Sequence, residues 1–176
     1  MTEGKLSRRL VGHRMDWIQR MIGEIRLLPL ESPEAFLADR RNVWAAESCL
    51  RRALEALLDL GRHILAKGFA VETSEDKEIA RQLGTHGVLS PSEAHLLQTL
   101  ASYRNRLVHF DHEVTHEELY KICTAHLQDV ERVLESLKGW VHRHLAVAPR
   151  YSGTLGVLES FKDWMHCHPH LMNDRL

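Results

Sequence analysis

Apolar residues return at intervals of three and four from Leu6 to Val141, and no segment alternates apolar with polar. The first spacing lines one face of an α-helix, whereas a half-buried strand needs an interval of two. The pattern therefore excludes a sheet-based architecture. Residue choice agrees with it. The 176 residues include 27 Leu and 14 Ala against 11 Val and 6 Ile. Unbranched side chains lose little rotamer freedom in a helix and β-branched ones lose more. A mass of 20.3 kDa suits one ordinary domain. A hydrophobic content of 44% supplies a core and excludes global disorder.

The segments read as follows. Leu6, Leu10, Trp17, Ile18, Met21, Ile22, Ile25 and Leu28 form one stripe, which Pro29 stops. Ser32-Pro33-Glu34 resembles a helix start, with a cap, a proline at the first helical position and an early acid. From Pro33 to Lys67 a short helical turn precedes a long helix with the stripe Val43, Ala46, Leu50, Leu54, Leu57, Ile64 and Leu65, and Gly68 is the expected terminator. Ser74 is the expected cap of a short helix carrying Ile79, Ala80 and Leu83, ending between Gly84 and Gly87. Ser90 to Glu93 and Thr115 to Glu118 are capping boxes, each opening a further apolar stripe, to Val108 and to Val141 respectively. The predicted fold is all-α, an antiparallel up-and-down bundle of four to five helices spanning residues 1–146. Residues 147–176 form a C-terminal extension with one candidate amphipathic helix (Val157, Leu158, Phe161, Trp164) and a His-rich tail.

Charge and cysteine usage narrow the function classes. Lys plus Arg is 23 and Asp plus Glu is 24, a net charge of −1, so the chain is no polycationic nucleic-acid binder. The longest stretch free of Asp, Glu, Lys and Arg runs only from Gln82 to Ser92. A membrane helix needs about 20 apolar residues, so none is expected. No apolar signal core follows Met1, and a cytoplasmic location is expected. Three widely spaced cysteines, Cys49, Cys123 and Cys167, do not make a disulfide framework.

The stretch richest in chemistry is Tyr103-Arg104-Asn105-Arg106-Leu107-Val108-His109-Phe110-Asp111-His112, at the end of a predicted helix. Asn105 and His109 share a face. Arg104 and His109 are five apart, about 140° around an ideal helix of 3.6 residues per turn. They converge only if the arginine folds over, the helix distorts, or a second subunit contributes. Arg with His suffices chemically for RNA cleavage without a metal. Histidine exchanges a proton near neutrality, and a permanently charged guanidinium grips phosphate and stabilises charge in a phosphorane. Asn105 would hold the phosphate or orient the imidazole. The same residues also read as a polar helix end with a dipole-stabilised histidine.

The segment from Arg104 to His109, Arg-Asn, three residues, then His, resembles the signature of the HEPN superfamily. Its continuation through Asp111 to Tyr120 resembles the HepT-like branch in particular. Leu30 to Asp39 resembles that branch's loop after the first helix, and Ala56 to Ile64 its second helix. The likeness covers roughly residues 6–145. It implies an all-helical homodimeric toxin of a toxin–antitoxin pair that cleaves RNA without a metal or other cofactor. It further implies that Arg104 and His109 are catalytic, in a cleft at the dimer interface, which would also bring these two side chains together. The implied antitoxin is an MNT-type nucleotidyltransferase, which binds the toxin and transfers AMP to a Tyr two residues after the motif His. Here that position is Asp111, which cannot be modified as a phenol is. Either an active nuclease is restrained by partner binding alone, or a catalytically attenuated subunit is kept for its partner.

Other polar groups admit two readings. Asp59 and His63 would support the Arg104 and His109 site, with Arg106 beside it. Equally, Glu55, Asp59 and His63, four apart, form a surface ladder of paired charges. The run His166-Cys167-His168-Pro169-His170 could attract a transition metal but fits one tetrahedral centre poorly, and no metal site is expected. Trp17, Trp44 and Trp140 are expected in packing, and one of them could serve at a dimer contact.

Overall fold

The structure is a computed structural model, and it describes Leu6 and residues 8–108 and 114–146. Seven helices follow one another: α1 (Arg8–Arg26), α2 (Pro33–Leu37), α3 (Arg40–Gly68), α4 (Asp76–Thr85), α5 (Pro91–Val108), α6 (His116–Lys121) and α7 (Leu127–Ala146). A π-helical segment, Ile122–His126, joins α6 to α7. No strand occurs among the described residues. The described residues up to 145 form one compact unit.

Cross-helix pairs give the helix directions. Arg14 early in α1 meets Asp59 late in α3, and Glu24 near the end of α1 lies beside Cys49 earlier in α3, so the two run oppositely. Arg104 near the end of α5 meets Glu55, midway along α3. Glu93 at the start of α5 accepts from Ser136 midway along α7, while Arg106 near its end pairs with Glu118 in the preceding α6, so α5 runs opposite to α6 and α7. The result is the expected up-and-down bundle. The long α3 lies at its centre. Leu50, Leu57, Leu60, Ile64 and Leu65 are fully buried, as are Ala46 and Ala53, where small side chains let neighbouring helices approach. Short α2 plugs one end with fully buried Phe36, against which the Tyr120 ring packs at 5.6 Å while its hydroxyl donates to Leu30 O.

Local chemistry explains the boundaries. Ser32 Oγ caps α2 by accepting from Ala35 N, and Asp39 caps α3 by accepting from Arg41 N. The Ser90 and Glu93 box is reciprocal, with Ser90 N donating to Glu93 Oε2 at 2.9 Å and Glu93 N to Ser90 Oγ at 3.3 Å. Gly87, at φ +68°, closes α4 as Val88 N donates to Leu83 O and Gly87 N to Gly84 O.

Helix α3 ends at Gly68 as expected, and the left-handed residue beyond it is Ala70, at φ 55°. Gly68 also serves packing, since a Cβ there would lie 2.9 Å from Trp140 Cη2. Three expectations are corrected. Ser74 does not cap α4. Glu75 holds the N-cap position without a side-chain bond, and Ser74 stands one residue earlier. The stripe after Thr115 is not one regular α-helix, because the π turn interrupts it. Trp44 is 63% exposed rather than packed, while Trp140 is buried and Trp17 half-buried.

Candidate active site

Helix α5 delivers Arg104 and Asn105 to the wall of an open cleft of about 510 Å³, which Arg62 of α3 and Ser74, Glu75, Asp76 and Lys77 around the start of α4 complete. The capping box fixes where α5 begins, and buried Ala94, Leu97, Leu100 and Ala101 fix which face turns inward. Arg104 is therefore carried on a rigid element, with its guanidinium half-buried.

Seven side chains of alternating charge cross the bundle here. Arg14 Nη2 lies 3.2 Å from Asp59 Oδ2, and Asp59 Oδ1 accepts from Arg62 Nη1 at 2.7 Å. Arg62 Nη2 donates to Asp76 Oδ1 at 3.3 Å, and Asp76 Oδ2 lies 3.4 Å from Arg104 Nη1. Arg104 Nη2 is 3.8 Å from Glu55 Oε1, which accepts from Arg51 Nη1 at 3.3 Å. Asp76 is the most enclosed, its side chain 10% exposed. It occupies the first turn of α4, where the helix dipole favours a carboxylate.

Arg104 is weakly held within this chain. Its closest contact among the described residues is a 3.2 Å bond from Nη1 to the Oδ1 of adjacent Asn105. Its carboxylate contacts at 3.4 and 3.8 Å exceed the roughly 2.7–2.9 Å of a strong charge-assisted bond. Its buried Nε has no hydrogen-bond partner among the described residues. The Nη groups, held by long contacts beside an open cleft, can take up an anion.

Arg106, two residues on, behaves oppositely. It grips Glu118 with two bonds, 2.6 and 2.7 Å, joining the end of α5 to the start of α6. That guanidinium holds the Glu118 carboxyl below the usual range, and the Thr115 N–H adds to the effect. Glu118 N in turn donates to Thr115 Oγ1 at 3.2 Å. The residues between these anchors include His109 and Asp111, and both lie outside the described residues, as does the run 166–170.

Of the supporting candidates, Asp59 reaches Arg104 only through Arg62 and Asp76, and neither Asp59 nor His63 lines the cleft. His63 is half-buried one turn beyond Asp59. Burial pushes its pKa down, with Lys67 adding, so the neutral ring is favoured. Asp76, Arg62 and Lys77 were not singled out in the sequence. An acid in the first turn of a short helix is commonplace, and nothing in its spacing points across to α5. Among the described residues, no group of three or more His, Cys, Asp or Glu is arranged to hold a metal ion, and no helix is long and apolar enough to cross a membrane.

The described residues thus define an all-helical up-and-down bundle with an arginine and an asparagine on the wall of a charged cleft. The comparisons make that class specific. Residues 18–137 match the family model described as ribonuclease HepT-like, and the chain belongs to this family. Among solved structures, the fold resembles a toxin–antitoxin with AMP-PNP at 19% identity and a TM-score of 0.68, covering 75% of this chain and 99% of that one. It resembles a tri-AMPylated Shewanella oneidensis HEPN toxin in complex with its MNT antitoxin at 19% identity and 0.69, covering 76% and 99%. It also resembles YutE from Bacillus subtilis, a cytosolic protein of unknown function, at 16% identity and 0.67, covering 82% and 96%. At such identities the likeness establishes the fold. The comparison with curated proteins gives no match.

Proposed function

We propose that the protein is the ribonuclease toxin of a toxin–antitoxin pair, a cytoplasmic homodimer that cleaves RNA without a metal and is neutralised by an MNT-type nucleotidyltransferase. The observation that carries this reading is family membership over residues 18–137 in a chain whose Arg104 and Asn105 stand on the wall of an open cleft. The toxin–antitoxin complexes among the similar structures support the choice of partner. Residues 147–176 are an extension outside the catalytic unit of residues 1–146.

In this mechanism His109 takes the proton from a ribose 2′-OH. The freed oxygen attacks phosphorus, the bond from phosphorus to the 5′-oxygen breaks, and that oxygen receives a proton from imidazole. The products are a 2′,3′-cyclic phosphate and a 5′-hydroxyl. Arg104 stabilises the phosphorane charge and Asn105 positions a phosphate oxygen. Arg106 fixes the end of α5 through Glu118, while Asp59 orders Arg62 and the neutral His63 ring supports the same face of α3 one turn on.

Cleavage of total tRNA and of a single-stranded RNA in EDTA is the test. Wild type should cleave, and His109→Ala and Arg104→Ala should not. No cleavage by folded wild-type dimer would reject the reading. The alternative, an attenuated subunit that binds a nucleotidyltransferase, is favoured by Asp111 in the family's Tyr position and by the two carboxylates already near Arg104. Tight binding to that partner without RNA cleavage would select it. AMP incorporation into Asp111→Tyr but not into wild type would show that position 111 controls modification, and equal labelling of both would discard that idea.

A further inference from the structure

Resting on the ribonuclease reading, we propose that Arg62 and Arg104 form a phosphate-binding pair for the RNA backbone, with the Asp76 carboxylate as its resting occupant. RNA enters by exchanging a backbone phosphate for that carboxylate.

Asp76 offers one oxygen to each arginine, Oδ1 to Arg62 at 3.3 Å and Oδ2 to Arg104 at 3.4 Å. A phosphodiester presents two non-bridging oxygens in the same manner, and a guanidinium matches either group. Both groups carry one negative charge, so the exchange leaves the charge between the arginines unchanged. Both arginines lie on the wall of one open cleft with Asn105, Lys77 and Asp76, whose side chain is 10% exposed, so a phosphate from solvent reaches the pair as that carboxylate turns aside.

The strengths of the contacts favour exchange. Arg62 is anchored by its 2.7 Å bond to Asp59 and keeps its place when Asp76 leaves. Arg104 makes no bond shorter than 3.2 Å among the described residues. The long contacts to Asp76 contrast with the 2.6 and 2.7 Å bonds of Arg106 to Glu118, which are built to persist. A phosphate therefore displaces a weak contact and meets donors already in position. Asp76 keeps the two cations from repelling one another while no RNA is bound, and it screens the cleft against weaker anions.

The test uses the full chain carrying His109→Ala, so that RNA binds uncut. Affinity for a fluorescent single-stranded oligoribonucleotide is measured by anisotropy at several salt concentrations. Asp76→Asn should bind several-fold more tightly, because the competing charge is gone. Arg62→Gln should bind roughly tenfold more weakly and lower the salt slope by about 0.7, the loss of one phosphate contact on a single strand. Arg81→Gln, which removes the same charge from the exposed side of α4, should change neither. Weaker binding by Asp76→Asn would overturn the proposal, as would an unchanged slope in Arg62→Gln or an equal effect in Arg81→Gln. Should Asp76→Asn fail to fold, the two arginine variants decide alone. If the parent binds no RNA and wild type cleaves none, the ribonuclease reading falls and takes this inference with it. If wild type cleaves and all variants bind alike, only this inference falls.

Discussion

Arg104 and Arg106 stand two residues apart on one helix and do opposite work. Arg106 is bound through two short bonds to Glu118, and its charge is spent on holding α5 to α6. Arg104 is shared at longer range between Asp76 and Glu55. The same side chain is a structural clamp in one place and an available cation in the other. What differs is the partner each meets across the bundle, because two residues on a helix turn the side chain to nearly the opposite face.

The contrast can be broken by experiment, beginning where the effect is greatest. Arg104→Ala should lower RNA cleavage on the order of 10²–10³-fold, the usual loss of a transition-state donor, while urea denaturation shifts by less than about 1 kcal/mol. A large stability loss would make Arg104 a clamp like its neighbour. Gly68→Ala provides a yardstick far from both arginines. Its Cβ would press on the buried Trp140 ring, which also packs on Phe69 and His144, and should cost about 1–3 kcal/mol. Cleavage per folded molecule should not change.

Arg106→Gln should cost about 1 kcal/mol, since the pair is bidentate but a third exposed. Its activity should fall less than tenfold, and a drop matching Arg104→Ala would remove the distinction. The pH dependence sharpens it further. The Glu118 carboxyl is lowered in the fold, so the unfolded chain binds more protons near pH 4 and stability rises with pH there. That contribution is complete above the unfolded value of about 4.3 and is lost as pH falls through the lower folded value. Glu118→Gln should flatten the acid limb of the stability curve. The smallest effect is expected at Glu78, which Arg81, helped by Gln82, holds below the usual carboxylate range on the open surface of α4. Solvent screens that pair, so NMR titration should find the carboxyl lowered only slightly, and Glu78→Gln should leave the unfolding curve nearly where it was.

The helices were legible in the sequence because each carries its own stop and start chemistry. Ser32, Pro33, Ser90, Glu93, Thr115 and Glu118 act through neighbours three or four residues away. The failures also have physical causes. Gly68 ends α3 as expected, but the sequence gives no sign that Trp140, 72 residues distant in the chain, needs its bare Cα. Ala70 takes the left-handed conformation that glycine would adopt more easily, and its sequence context gives no sign of it. Nor does the apolar spacing show the π turn at Ile122–His126 or the exposure of Trp44. At the site, the pattern from Arg104 to His109 singles out the arginine and asparagine that face the cleft. It could not show Asp76 and Arg62, which arrive from α4 and α3.

The sequence by itself determined the class of fold, the helix limits set by caps and prolines, and the run of residues that carries the candidate chemistry. These depend on contacts within one helical turn. Only the tertiary structure decided which arginine is clamped and which is available. That depends on carboxylates brought from other helices, and their distances are set by how the bundle packs.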